Sequence, residues 1–160
     1  MTKTPPATHH RHHHRVGFRL ERWHRRAIYA SGAVLLLSGV AWLLLRYFMR
    51  PASEFGETIN PFEPWAMKLH GAAAMVTLFF VGSLVHIHIR RALKHGRNLA
   101  TGWSMIGTLL FLVLTGYGLY YIAGESDRPV WSALHWVVGL TVAVLFVMHI
   151  VIGRRSVAES

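Results

Sequence analysis

Histidine is the residue type whose spacing in this chain suggests chemistry. His135 and His149 are fourteen residues apart within one long apolar segment. In an α-helix, fourteen residues rise about 21 Å and return to within roughly 40° of the same face. Ionisable residues inside a membrane are costly and usually functional, and histidine is the usual axial ligand of haem iron. The spacing therefore suggests two metal or haem sites, one near each side of a bilayer.

Four further histidines are candidates to complete these sites. His70 lies near the start of a second apolar segment, His86 and His88 lie at its end, and His24 lies just before the first. A helix places His70 and His88 on one face, whereas His86 falls roughly 160° away. We therefore favour His88 as the partner of His149. His86, which matches the depth of His149 better, and His24 are the alternatives.

Four apolar segments must position these histidines. They cover residues 27–48, 65–89, 103–123 and 130–152. Each has about the 20 residues that a helix needs to cross a bilayer, and in lipid a backbone must satisfy its own hydrogen bonds. The composition, 52% hydrophobic and 15% charged over 160 residues, also indicates a membrane protein. The sequence thus predicts an all-α fold, an integral membrane four-helix bundle.

The basic residues are sorted between the loops, and this predicts the orientation of the helices. Thirteen of the 17 Lys and Arg residues lie in the N-terminal tail, in the second loop and at the C-terminus. Five of the seven acids lie in the other two loops. By the positive-inside rule, both termini are cytoplasmic. We therefore do not interpret the net charge of +10 as a sign of nucleic-acid binding.

This orientation places the histidines in two layers. The second and fourth helices both run from outside to inside, so residues of equal depth can meet. His70 and His135 then lie near the outer face, and His149 lies near the inner face with His88. Four-helix bundles build cofactor sites from side chains on such facing helices. Because the chain has no cysteine, it has neither iron–sulfur clusters nor covalently attached c-type haem, and any haem is held non-covalently.

The residues around these histidines resemble a known family. Residues 131–154, with the fourteen-residue histidine spacing, are similar to the last ligand-bearing helix of bacterial cytochrome b561-type di-haem proteins. That family includes the cytochrome b subunits of hydrogenases and formate dehydrogenases. Residues 65–71 (WAMKLHG) look like the start of its second helix, and residues 23–39, which end in LLLSG, look like its first. Residues 98–121 resemble a related group of small four-helix membrane proteins.

The resemblance implies two non-covalent haem b groups and a set of ligands. It implies an outer haem on His70 and His135. It implies an inner haem on His149 and His24, because the family draws one ligand from its first helix. The chain departs from the family directly after His24, where two arginines replace apolar or aromatic residues, and in its extra histidines at the end of the second segment. The fourth ligand is therefore open between His24, His88 and His86.

These features predict a membrane b-type cytochrome that transfers electrons across the bacterial cytoplasmic membrane. We expect residues 1–22 to form a disordered, basic, His-rich cytoplasmic tail, residues 23–155 to form the haem-binding domain, and residues 156–160 to form a short cytoplasmic tail. No nucleophile or acid–base group stands out, so we expect an electron-carrying subunit of a larger complex. Its expected partners are redox subunits, a quinone and the lipid bilayer.

Two other functions are consistent with the same residues. A small metal transporter or metal-responsive membrane protein would use the intramembrane histidines and the His-rich tail. A cation path usually carries acids, however, and no Asp or Glu lies within the four apolar segments. A cofactor-free anchoring subunit would leave the spacing of His135 and His149 to chance. Bound haem distinguishes the first interpretation from the other two.

Overall fold

The described part of the chain forms four long α-helices. The computed structural model describes residues 22–54, 56–84 and 99–158, with side chains described as far as residue 153. The helices are α1 (Arg22–Phe48), α2 (Glu63–Leu84), α3 (Leu99–Tyr121) and α4 (Arg128–Ala158).

Each of these helices is long and apolar enough to cross a membrane. The predicted all-α four-helix bundle is therefore confirmed, and the protein is a multi-pass membrane protein. Several helices extend beyond the apolar segments. α1 begins at Arg22, α3 begins at Leu99, and α4 continues to Ala158, past residue 155 where the sequence predicts a tail. Backbone hydrogen bonds continue into polar flanking residues, so hydropathy alone places the first residue of each helix too far into its segment. At the other end, α1 stops at the predicted residue and α3 stops two residues before it.

The helices pack mainly as two antiparallel hairpins, α1 with α2 and α3 with α4. α1 also packs against α4, although less extensively. There the ring centres of Tyr29 and Phe146 lie 5.9 Å apart. Between α2 and α4, the ring centres of His70 and His135 lie 6.3 Å apart. Since Tyr29 is near the start of α1 and Phe146 lies beyond His135 on α4, and since α1 and α2 are antiparallel, α2 and α4 run in the same direction, as the sequence predicts.

Small side chains make the closest contacts between the helices. Buried positions include Ser31 and Ser38 on α1, Ala73 on α2 and Gly118 on α3. A Cβ at Gly118 would overlap the indole ring of Trp131, so this glycine allows α3 and α4 to approach each other closely. Many large apolar side chains lie on the outside of the bundle. This distribution is typical of membrane helices, which associate through small residues because lipid is as apolar as leucine.

The connection between α1 and α2 is a folded loop. Its strands β1 (Ala52–Ser53) and β2 (Gly56–Glu57) pair antiparallel. Gly56 has a φ of 105°, a conformation that glycine adopts without steric cost. Asn60 then caps α2. Its side-chain oxygen accepts a hydrogen bond from the amide two residues later, and its own N–H donates to the carboxylate of Glu63 at 3.4 Å, which together make a capping box.

A buried carboxylate fastens this loop to the end of α1. Glu63 is only 4% exposed, and its oxygens accept hydrogen bonds from Nε and Nη2 of Arg50 at 2.7 and 2.9 Å. Arg46 lies further from the same carboxylate, at 3.9 Å. The hydrogen bond to Glu63 raises the pKa of the Arg50 guanidinium above its ordinary value, so the arginine stays charged. The start of α2, two turns before His70, is thereby fixed relative to α1.

Candidate functional site

The structure brings His70 of α2 and His135 of α4 together. Their ring centres are 6.3 Å apart, and their ring planes are inclined by 80°. An imidazole nitrogen lies about 2 Å from a bound transition metal, and about 1.2 Å from the centre of its own ring. Two imidazoles that hold one ion from opposite sides therefore have ring centres about 6.4 Å apart. The separation of His70 and His135 fits such a pair of ligands.

Helix α1 fixes the orientation of His70. Nδ1 of His70 lies 3.0 Å from the backbone oxygen of Leu35 and 3.3 Å from Oγ of Ser38. Because a carbonyl oxygen can only accept, Nδ1 carries the proton and donates it. Nε2 then has the lone pair that a metal ligand needs. Gly39 lies beside the ring, and a Cβ at this position would stand 3.0 Å from Cε1 of His70.

Helix α3 fixes His135 in the same way. Nδ1 of His135 lies 2.8 Å from Oγ1 of Thr115, and this hydroxyl donates to the backbone oxygen of Phe111 at 2.9 Å. A helical threonine commonly gives its proton to the carbonyl four residues earlier, which leaves its oxygen to accept from Nδ1. Nε2 of His135 therefore has its lone pair available. Gly116 lies beside this ring, where a Cβ would stand 3.3 Å from Cε1.

The two hairpins thus contribute matching halves of one site. In each, the first helix carries a hydroxyl residue followed by glycine, and the second helix carries the histidine. Within the described ranges, the hydrogen bonds of His70 and His135 all use Nδ1. Metal-bound histidines have this arrangement, because a hydrogen bond on one ring nitrogen fixes the tautomer and directs the other nitrogen to the metal. His70 and His135 could therefore hold one haem iron between them.

His149 lies on α4 near the other end of the bundle, fourteen residues beyond His135. Its Nδ1 lies 2.9 Å from Oγ1 of Thr101 on α3. Thr101 precedes Thr115 by fourteen residues, which is also the spacing of the two histidines. Because α3 and α4 are antiparallel, each histidine of α4 meets one of these threonines.

His24 lies in the first turn of α1, at the same end of the bundle as His149. Its Nε2 lies 2.9 Å from Oγ of Ser83 and 3.4 Å from the backbone oxygen of Phe80. The Ser83 hydroxyl donates to that same carbonyl at 2.6 Å, so Nε2 of His24 is the donor to Ser83. His24 therefore forms its hydrogen bonds through Nε2, whereas His70 and His135 form theirs through Nδ1. His24 has to release these contacts to bind a metal through Nε2.

His86 and His88, the other candidates for a fourth ligand, lie outside the described residues. The same is true of residues 1–21, which contain the histidine-rich tail. Within the ranges that the structure describes, no group of three or more His, Cys, Asp or Glu side chains is arranged to hold a metal ion. A bis-His haem takes two ligands from the protein, because the porphyrin supplies the other four.

Sequence reasoning identified the histidines and missed the residues that orient them. These are Leu35, Ser38, Thr101 and Thr115. A signal was present, because residues 35–39 (LLLSG) and 112–116 (LVLTG) share three apolar residues, a hydroxyl residue and a glycine. The fourteen-residue spacing of the threonines on α3 was a second signal.

Comparison of the chain with protein-family models, with curated proteins and with solved structures finds no match. The resemblance to cytochrome b561-type proteins therefore stays a prediction. The functional interpretation depends on the geometry of the histidines and of the residues that contact them.

Proposed function

We propose that the protein is a b-type cytochrome of the bacterial cytoplasmic membrane that transfers electrons across the bilayer through two bis-His haems. The observation that carries the proposal is the pair His70 and His135. Their ring centres have the separation expected of two ligands to one ion, and both rings are oriented through Nδ1. The proposal includes membership of the cytochrome b561-type di-haem family.

Each residue of the first site has a separate role. His70 and His135 would hold a haem iron through Nε2, since their Nδ1 atoms are hydrogen-bonded to the protein. Leu35 and Thr115 accept the Nδ1 protons and keep the rings from turning. Haem, when bound, supplies the one-electron chemistry. The apolar helices on either side exclude water, and the small Gly39 leaves room for an imidazole between α1 and α2.

His149 provides one ligand of the second site, and its partner is His24 or His88. The contact between Tyr29 and Phe146 supports His24, because it brings the first turns of α1 close to the last turns of α4. The helical spacing of the sequence supports His88. The engagement of Nε2 of His24 with Ser83 counts against His24.

Helix α4 provides ligands at two depths of the bilayer. His135 and His149 lie about 21 Å apart along its axis, within a hydrocarbon core of about 30 Å. This arrangement supports electron entry from a redox subunit on one side and exit to a quinone or a second partner on the other. The distribution of Lys and Arg supports cytoplasmic termini, with the His70–His135 site near the outer face.

A reduced-minus-oxidised spectrum of the purified protein, with a pyridine haemochrome assay, tests the proposal. We expect a b-type band and about two haems per chain. One haem per chain would restrict the proposal to the His70–His135 site. Absence of haem, after expression with ample haem supply, would contradict the proposal and would direct attention to metal binding by the histidines.

The same assay identifies the fourth ligand. His24→Ala and His88→Ala are compared with the unaltered protein. Replacement of the true ligand leaves one haem per chain, whereas replacement of the other histidine leaves two. Because the sequence predicts that both histidines lie near the cytoplasmic face, each variant serves as the control for the other.

A further inference from the structure

Helix α3 carries three threonines at seven-residue intervals, Thr101, Thr108 and Thr115. Seven residues return a helix to within about 20° of the same face. The outer two contact Nδ1 of a histidine on α4, Thr115 at 2.8 Å from His135 and Thr101 at 2.9 Å from His149. Thr108 instead donates to a backbone oxygen of its own helix at 2.6 Å. α3 thus presents a hydroxyl to each histidine of α4.

We propose that Thr115 and Thr101 are positioning residues that set the reduction potentials of the two haems separately. The inference rests on the proposed function. An acceptor for the Nδ1 proton raises the basicity of an imidazole and thereby tunes the metal that it binds. A more basic ligand stabilises ferric iron more than ferrous iron, so each threonine lowers the potential at its own histidine.

The local structure supports this role for Thr115 in particular. Thr115 is only 4% exposed. Its hydroxyl lies 2.9 and 3.2 Å from the backbone oxygens of Phe111 and Leu112. These carbonyls hold the hydroxyl proton within α3, so the oxygen lone pair is directed at His135. At His70, by contrast, a backbone carbonyl accepts the Nδ1 proton. A side-chain substitution on α3 therefore changes the acceptor of one histidine and leaves the opposite ligand unchanged.

The two threonines act on different layers. Fourteen helical residues separate them by about 21 Å, which is well beyond direct hydrogen bonding. Their effects should therefore be independent. Each substitution moves one of two midpoint potentials, and the double variant shows both shifts together.

A redox titration of the full-length haem-loaded protein, followed by visible spectroscopy, tests the inference. In Thr115→Val we expect the equilibrium constant for reduction of one haem to increase by up to about tenfold. For a one-electron couple, this raises its midpoint potential by up to about 59 mV. The other midpoint stays in place. Thr101→Val is expected to move the second midpoint instead. Thr108→Val is the matched control on the same helix, and it is expected to move neither. Thr115→Ser keeps a hydroxyl and is expected to restore the original value.

Each result bears on the inference. Two retained haems with unmoved potentials in both valine variants would overturn it, and so would equal shifts in Thr115→Val and Thr108→Val. If Thr115→Val loses its haem, Thr115→Ala and Thr115→Ser are compared. The inference then requires that serine matches the unaltered protein and that alanine does not. Absence of haem in the unaltered protein would contradict the proposed function, which is a different outcome.

Discussion

His70 and His135 face each other from different hairpins, with ring centres 6.3 Å apart, and each ring is oriented by the first helix of its own hairpin. Neither hairpin contains both histidines. The site is therefore formed at the interface between the hairpins, where direct helix–helix packing is less extensive than within them.

Replacement of a single ligand on α4 should remove a single haem. We expect His135→Ala to reduce the haem content from about two to about one per chain, and His149→Ala to do the same at the other site. The protein should still insert, because the helix stays long and apolar enough to span a membrane. The pyridine haemochrome assay measures the change.

Thr141→Ala is a suitable control for these variants. Thr141 lies on α4 between the two histidines, and its exposed hydroxyl donates to the backbone oxygen of Val137 at 2.9 Å. Survival of both haems in His135→Ala or in His149→Ala would show that the ligand assignment is wrong.

Gly39 should be intolerant of a side chain. In Gly39→Val the Cβ would lie 3.0 Å from Cε1 of His70, so the imidazole has to move. Overpacking of this kind costs about 1–3 kcal/mol, which corresponds to weakening of haem binding at that site by roughly fivefold to somewhat over a hundredfold. Titration of the apoprotein with haem measures the effect.

Gly32 gives the matched control for this prediction. It lies seven residues earlier on α1, and a Cβ there meets nothing within 4 Å. Gly32→Val should bind haem normally. Gly116→Val and Gly107→Val repeat the comparison on α3, since Gly116 lies beside His135 and a Cβ at Gly107 meets nothing within 4 Å. Equal haem affinity in a glycine variant and its control would contradict the prediction.

Ser38→Ala should have a smaller effect on potential than Thr115→Val. Nδ1 of His70 keeps the backbone oxygen of Leu35 as an acceptor at 3.0 Å when the serine hydroxyl, 3.3 Å away, is removed. We therefore expect the midpoint potential of the haem at His70 and His135, which Thr115→Val also raises, to rise only slightly. The equilibrium constant for its reduction should change by well under about tenfold. Redox titration measures it.

Ser31→Ala is the control for the serine variant. Ser31 is buried on the same helix, seven residues earlier, and its hydroxyl donates within α1 to the backbone oxygen of Ile28 at 3.3 Å. It should leave both midpoints unchanged. A shift in Ser38→Ala that equals or exceeds that of Thr115→Val would show that the serine, and not the carbonyl, is the main acceptor.

The ion pair between Arg50 and Glu63 should stabilise the first hairpin. Arg50→Ala leaves a buried carboxylate with the more distant Arg46 and the N–H of Asn60 at 3.4 Å, and loss of one partner of a buried pair is strongly destabilising. We expect Tm in detergent to fall by several degrees, as measured by circular dichroism. Lys68→Ala is the control, because Lys68 lies over the ring of Trp65 with its nitrogen 4.6 Å from the centroid. A fall of the same size in both variants would contradict this role.

The number of helices and the proximity of His70 and His135 could be predicted, because each follows from a simple property of the sequence. Apolar length gives the number of spans, and equal depth in two parallel helices brings the two histidines together. The start of α2 was harder to place, since Glu63 is charged and yet buried. Its burial depends on Arg50, thirteen residues away across the loop, and no pattern within α2 indicates that pairing.

The residues that orient the histidines could not be predicted in the same way. The role of Thr115 depends on the packing of α3 against α4 and on their relative register. A shift of one residue would turn its hydroxyl by about 100° away from His135. Ser38 and Leu35 likewise act on a histidine more than thirty residues away. Such long-range pairing follows from the complete fold, whereas spans follow from local composition.

The matching halves of the His70–His135 site have a consequence for assembly. In the two-stage description of membrane protein folding, helices insert independently and associate afterwards. Each hairpin can then orient its own histidine before the hairpins meet. A ligand that joins the two imidazoles binds the associated state and not the separated hairpins, so it stabilises the closed bundle by mass action. If the proposed haem is that ligand, its supply during synthesis would raise the fraction of chains that reach the closed bundle.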